Sequence, residues 1–267
     1  MNFEKLNETS CRIDDIQNGD TIPIGGSFLN KLDVKVEADL ASFEKFFQTV
    51  EKNALKVEQN EKMAQWFKNI DADFEFRTFA HMYAFDNGIR IMYPNFCKNA
   101  ETERSKFYKS ENAPKLSEAF EKGICQCAEL AVLAQAYLSK QGIAAKYFGG
   151  ELLRSTKDEF AEKHSFITLK SGKKDYVYDP ANPMWFNTSP IPRIGLIKAT
   201  PKQIKLFENK IHNNRNRRNC AFLNTQNIYD KNKTSWYYGC GDGGYISPSF
   251  LISQNNKQNT TVSQWER

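Results

Sequence analysis

Three residue types that together make an activated nucleophile occur in one order along the chain: Cys127, His164 and Asp179. The cysteine stands at the head of an apolar run. From Cys127 to Tyr137 almost every residue is apolar, and Cys127, Leu130, Ala131, Ala134 and Leu138 recur at helical spacing. Leu133 and Ala136 fill the opposite side, so the spacing predicts a helix buried on most faces. Gly123 breaks the chain before it and Gly142 stops it. A thiol in the first turn of such a helix lies among unpaired backbone N–H groups at the positive end of the dipole. Both favour the thiolate, the form that attacks.

A thiolate needs a base, and the chain has three histidines: His81, His164 and His212. His164 opens His-Ser-Phe-Ile-Thr-Leu-Lys, an alternating strand. Ser-Gly-Lys-Lys makes a turn, and Asp-Tyr-Val-Tyr returns as a second strand ending at Asp179-Pro180. In such a hairpin the first residue of one strand lies beside the last of its partner. His164 and Asp179 are therefore expected at one end of a sheet, as base and orienting carboxylate for Cys127. His81, in a helical and aromatic-rich stretch, reads as a hydrogen-bonded core or surface histidine.

These residues carry a resemblance. Cys127-Ala-Glu-Leu-Ala-Val-Leu, Gly142-Ile-Ala-Ala-Lys-Tyr-Phe-Gly-Gly, His164 and Asp179-Pro180 together resemble the transglutaminase-like core of the papain-like superfamily. The match runs from Glu118 to Pro183. Two positions depart from the family pattern: Cys125 stands where a glycine is common, and Ser165-Phe166 follows the histidine where His-x-Trp is common. The resemblance implies an α+β fold, a buried helix bearing the nucleophile packed on an antiparallel sheet, with a helical N-terminal lobe. It also implies acyl transfer through a Cys127 thioester on a glutamine side-chain or peptide amide, as a deamidase, transglutaminase or cysteine protease. The backbone N–H of Cys127 and one further donor would hold the oxyanion. Trp66, Tyr93 and Asn95 are positions from which that donor could come.

Cys125 competes with Cys127 for the nucleophile's place. Counting back from Gly142 and matching the apolar face favours Cys127; Cys125 falls in the turn before the helix. A Cys-x-Cys pair could also ligate zinc with His164 or Cys240, but no second pair completes a recognisable ligand set. Neither a metal nor a cofactor is therefore expected. Two rivals stand beside the acyl-transfer reading. An arylamine N-acetyltransferase-like protein shares the Cys, His and Asp order, but that family carries Arg-Gly-Gly before its cysteine and Asp-Val-Gly-Phe-Gly after the histidine. A non-catalytic binding module would keep the fold with an inert thiol.

At 267 residues, with 40% hydrophobic residues, the chain can fill a sizeable core. No apolar run approaches a membrane span, and the first residues lack the apolar stretch of a secretory signal. Six cysteines scattered over this length do not suggest a disulfide framework. The expected setting is cytoplasmic, or export without a cleavable signal. Charge is uneven: residues 190–267 hold 12 Lys and Arg against 4 Asp and Glu. The densest basic stretch, Asn209–Arg218, could meet an acidic partner. It lacks the interleaved aromatics of a nucleic-acid surface, so the partner expected at the site is a protein or peptide substrate.

The remaining chain divides into a polar leader or docked arm at residues 1–35, a helical lobe at 36–115, the core with its extension at 116–252, and a flexible tail at 253–267. Within the lobe, Leu40, Phe43, Phe46, Phe47, Val50 and Leu55 predict an amphipathic helix over Ala38–Ala64. More helix is expected to Asp86, and Gly88-Ile-Arg-Ile-Met-Tyr-Pro reads as turn or extended chain. The charged Asn99–Asn112 reads as solvated. Trp185 is expected to pack or to wall the cleft. Short strands are expected at Ile194–Ile197 and Ser235–Tyr238, with a tight turn at Gly239-Cys-Gly-Asp-Gly-Gly.

Overall fold

Two periodicities divide the chain: helical spacing from Glu44 to Lys140 and alternation from Ala145 onward. The computed structural model describes residues 1–7, 10–24, 34–70, 74–109, 113–153, 161–171, 174–181, 184–186, 189–191, 194–196, 220–224 and 236–240. The result is mixed α+β, with a helical portion and an antiparallel sheet. Among the described residues no helix is long and apolar enough to cross a membrane. The basic stretch 209–218 and the tail 253–267 lie outside them.

The leader contributes strands β1 (Asn2–Asn7), β2 (Ser10–Asp14), β3 (Asp20–Pro23) and β4 (Lys35–Ala38). The helix expected over Ala38–Ala64 is cut into pieces. A 3-10 turn at Leu40–Phe43 precedes α1 (Glu44–Glu58), and α2 (Glu61–Ile70) restarts after Asn60, whose side chain accepts the Met63 N–H at 3.1 Å. Helix α3 (Phe76–Met92) runs through the stretch expected to be extended. Gly88 is there for packing rather than for a turn. A Cβ on it would meet Val50 Cγ2 at 2.8 Å and Phe46 at 3.1 Å, so its bare backbone admits α1 against α3. Helix α4 (Ala100–Phe107) is not wholly solvated, because Ala100 and Arg104 are buried. Helix α5 (Leu116–Glu121) then leads to α6 (Cys127–Lys140).

Helix α6 is buried from Ala128 to Leu138, as its largely apolar run requires. Each large aliphatic side chain enclosed there contributes about 1.5–3 kcal/mol. Rings tie it to the other helices: Tyr137 lies 5.8 Å from Phe85 of α3 and 5.6 Å from Phe47 of α1. Gly142, at φ +71°, ends the helix in the left-handed conformation that glycine adopts without strain. The chain then reverses into β5 (Ala145–Leu153).

Strand β5 pairs with β6 (Ala161–Ser171), and β6 with β7 (Lys174–Tyr178). Beyond the hairpin come β8 (Met184–Phe186), β9 (Ser189–Ile191), β10 (Ile194–Leu196), β11 (Cys220–Asn224) and β12 (Trp236–Cys240). Gly239 and Cys240 therefore end a strand, and the glycine cluster after them lies outside the described residues. The sheet order is β1-β2-β5-β6-β7-β10, with every pair antiparallel. Strand β5 is central. Its other edge pairs with β2 from Lys146 to Gly149 and with β11 at Leu152 and Leu153.

Alternation sorts the sheet into two faces. Ile13, Ala145, Tyr147, Ile167, Leu169 and Tyr178 join the core that contains α6. Phe148 and Phe166 share the other parity, are buried, and pack ring to ring at 4.5 Å.

Candidate functional site

Cys127 is the first residue of α6, and its thiol is free and partly exposed. The two nearest rivals are shut in. Cys125 is fully buried, and burial pushes its thiol well above the ordinary range, with Glu129 adding to the push. Cys11 on β2 is also fully buried; burial raises its thiol to about 12, and a hydrogen bond from the Gly149 backbone opposes the rise. Of the thiols at the head of α6, Cys127 is the one that solvent reaches. Cys97 is free and exposed in the turn after α3.

The start of α6 is held from below by Glu129, a fully buried carboxylate. Its Oε2 accepts the Gln126 N–H at 2.9 Å, the return arm of a capping box. Its Oε1 accepts the Tyr108 hydroxyl at 2.6 Å and pairs with Arg104, whose Nη1 also donates to the Ile124 carbonyl at 3.3 Å. Burial opposes the Arg104 charge, and Glu129 more than offsets it, leaving the guanidinium more basic than usual. The same carboxylate, after burial itself, pushes the Tyr108 phenol up. This network joins α4 to the residues on either side of Cys127. Removing one partner of such a buried pair costs about 3–5 kcal/mol.

The turn before α6 is equally constrained. The Cys125 N–H donates to the Phe96 carbonyl at 2.8 Å, and the Asn99 N–H donates to the Gly123 carbonyl at 2.7 Å. Gly123 sits at φ +67°, and a Cβ there would fall 2.5 Å from the Asn95 carbonyl oxygen.

What lies under Cys127 follows from two rises. Gln135 Nε2 donates to the Ala145 carbonyl at 3.0 Å, fixing one point of contact between α6 and β5. Eight residues back along the helix is about 12 Å, and four residues on along the strand is about 13 Å. The reversal at Gly142 makes the two run oppositely, so Cys127 stands near Gly149 and its partner Ser165. Tyr147 belongs to the same neighbourhood: burial raises its phenol most, Cys11, Cys127 and Glu129 add to that, and the Ser165 hydrogen bond opposes it. Its hydroxyl lies 3.1 Å from Ser165 Oγ and donates to the Pro23 carbonyl at 3.3 Å.

His164 pairs with Gly150, one position along from the Gly149–Ser165 row. Its side chain lies outside the described residues, as does that of Trp66. Strand β6 begins at Ala161, three residues before the expected start. Its pairing with β7 ends at Ile167–Tyr178, so Asp179 continues level with Phe166 and is a diagonal step from His164 rather than directly opposite. Asp179 is buried, and its Oδ1 accepts the Ala181 N–H at 3.1 Å. Of the expected oxyanion donors, Tyr93 is packed among Phe43, Phe46 and Phe120, and Asn95 is exposed beside Gly123. Trp185 lies in β8, but its side chain is outside the described residues. Among the described residues no three His, Cys, Asp or Glu side chains converge as a metal site.

His81 takes the core place expected of it. Its Nδ1 lies 2.7 Å from the Tyr137 hydroxyl and its Nε2 3.2 Å from Glu58. The residues that sequence reading missed are Glu129, Arg104 and Tyr108 around the head of α6, and Tyr147 and Ser165 beneath it. A carboxyl three residues after the N-cap was a readable signal for Glu129; burial of the other four depends on elements distant in the chain.

A scan against protein-family models gives no match, and neither the curated proteins nor the solved structures give one.

Proposed function

We propose that the chain is a thiol-dependent acyl-transfer enzyme of transglutaminase-like type, with Cys127 as nucleophile, His164 as base and Asp179 as orienting carboxylate. One observation carries the reading: the cysteine at the first position of the buried helix has a free, solvent-reached thiol, while its neighbours Cys11 and Cys125 are enclosed. The papain-like arrangement of helix on antiparallel sheet belongs to the same proposal. His164 on β6 and Asp179 just past the end of β7 support it by lying on neighbouring parts of one hairpin.

In this mechanism the Cys127 thiolate attacks the carbonyl carbon of a glutamine side-chain or peptide amide. The C–N bond breaks, and His164 gives its proton to the departing amine or ammonia. Water or a second amine then attacks the thioester, and Cys127 leaves as thiolate. The Cys127 backbone N–H, which has no partner within the helix at its first position, faces the developing oxyanion.

The second reading is a binding module with an inert thiol. The observation favouring it is that His164 shares the parity of Phe166, whereas the face of β6 that joins the core with α6 carries Ile167 and Leu169. Iodoacetamide separates the two. A catalytic Cys127 reacts faster near neutral pH than the other thiols and slows in His164→Ala. Equal, slow labelling of all thiols, unaffected by His164→Ala, overturns the enzyme. Mass spectrometry of candidate protein substrates with wild type and Cys127→Ala then names the reaction. A gain of about one mass unit marks deamidation, new termini mark proteolysis, and joined peptides mark cross-linking.

A further inference from the structure

Asp86, on α3, is one of the most enclosed polar residues of the molecule, and nothing in the mechanism above uses it. Its Oδ1 accepts the Tyr178 hydroxyl at 2.7 Å. Its Oδ2 is buried and has no hydrogen-bond partner among the described residues. Tyr178 is the last residue of β7 and is itself fully buried; the next residue is Asp179. One hydrogen bond therefore joins the helical portion to the strand end that delivers the orienting carboxylate.

We propose that Asp86 is a positioning residue: through Tyr178 it anchors the end of β7 to α3 and so fixes where Asp179 leaves the sheet. This rests on the Cys127–His164–Asp179 reading. The chemistry of the anchor follows from its surroundings. An ionised carboxylate wants several donors, and among the described residues Asp86 has one neutral hydroxyl. The charged groups around it are Asp179, which repels a second negative charge, and Arg90 one turn along α3, which favours it. Burial outweighs the Tyr178 hydrogen bond and Arg90, and raises the Asp86 carboxyl well above its usual range. The shift favours the neutral form, which accepts from Tyr178 without adding charge beside Asp179.

A neutral acid and an amide are near equivalents, which makes the inference testable. Asp86→Asn keeps an acceptor for Tyr178; Asp86→Ala removes it, and Tyr178→Phe removes the donor. The rate of iodoacetamide labelling at Cys127, followed by peptide mass across pH, reads the site in all three variants and in His164→Ala. The expected result is full retention in Asp86→Asn. Asp86→Ala and Tyr178→Phe should each fall on the order of tenfold, the scale of a displaced orienting group, and the double variant no further. Thermal unfolding gives an independent arm. Asp86→Asn should melt higher than wild type at pH 7, where the unfolded wild-type carboxyl ionises, and equally at pH 3, where both forms are protonated.

The outcomes separate cleanly. If His164→Ala leaves Cys127 labelling unchanged, the catalytic reading fails and this inference falls with it. If His164→Ala slows labelling while Tyr178→Phe, correctly folded, does not, the inference alone is overturned. An Asp86→Asn variant that melts lower at pH 7 overturns the neutral anchor. Should Asp86→Ala fail to fold, Tyr178→Phe, which deletes a single hydroxyl, carries the decision.

Discussion

At the scale of single residues, the molecule spends buried polar groups on position. Glu129 shows this most clearly, since one carboxylate accepts from the Gln126 backbone and the Tyr108 hydroxyl while pairing with Arg104. None of this was legible from Asn99–Asn112, where the charges read as a solvated face. Whether an arginine is buried depends on a partner 25 residues away, and local composition does not carry that. Cys127 was legible, because its place follows from the apolar run behind it. His81 gives a prediction at this scale. Burial, with Arg77 assisting, lowers its imidazole to about 4. The unfolded chain takes up a proton near the ordinary histidine value, whereas the folded one refuses it until much lower pH. Stability should therefore fall as pH drops from about 6.5 towards 4, by at most about 3 kcal/mol, since Glu58 3.2 Å away opposes the effect. Urea unfolding at pH 7 and pH 5 should show a smaller loss in His81→Gln than in wild type.

At the scale of elements, α6 and the β6–β7 hairpin were readable because each is specified by its own residues. A largely apolar run between two glycines specifies a buried helix from its own residues. The end of α3 was not readable: Gly88 and Pro94 imitate turn punctuation, while the reason for Gly88 is the approach of Val50 and Phe46 from another helix. The start of β6 was missed by three residues; the diagonal has another cause, since residues 164–170 outnumber 175–179 across the turn and leave Asp179 level with Phe166. Gly123 carries the prediction here. Its left-handed backbone alone penalises a side chain by about 1–2 kcal/mol, and the Asn95 carbonyl leaves no room for a Cβ. Gly123→Ala should destabilise by at least that amount in urea and should alter Cys127 labelling, because the turn sets the start of α6. A variant as stable as wild type would contradict this packing.

At the scale of the whole molecule, the residues expected as a leader or docked arm supply part of the central sheet. Cys11 to Asp14 pair with β5, and Ile13 is fully enclosed in the core shared with α6. Ile13→Ala should cost about 2–4 kcal/mol, as for an interior aliphatic residue rather than for a loose arm. Chemical denaturation measures it, and a loss under about 0.5 kcal/mol, the range of surface changes, would put the strand at the periphery. The split edge of β5 reaches further still. Lys146–Gly149 is completed by residues made earlier, and Leu152–Leu153 by Phe222 and Leu223, made some seventy residues later. During synthesis on the ribosome, the far part of that edge waits for a segment that does not yet exist. An unmatched row of amide and carbonyl groups is what another polypeptide can adhere to, so the growing chain should depend most on chaperones in that interval.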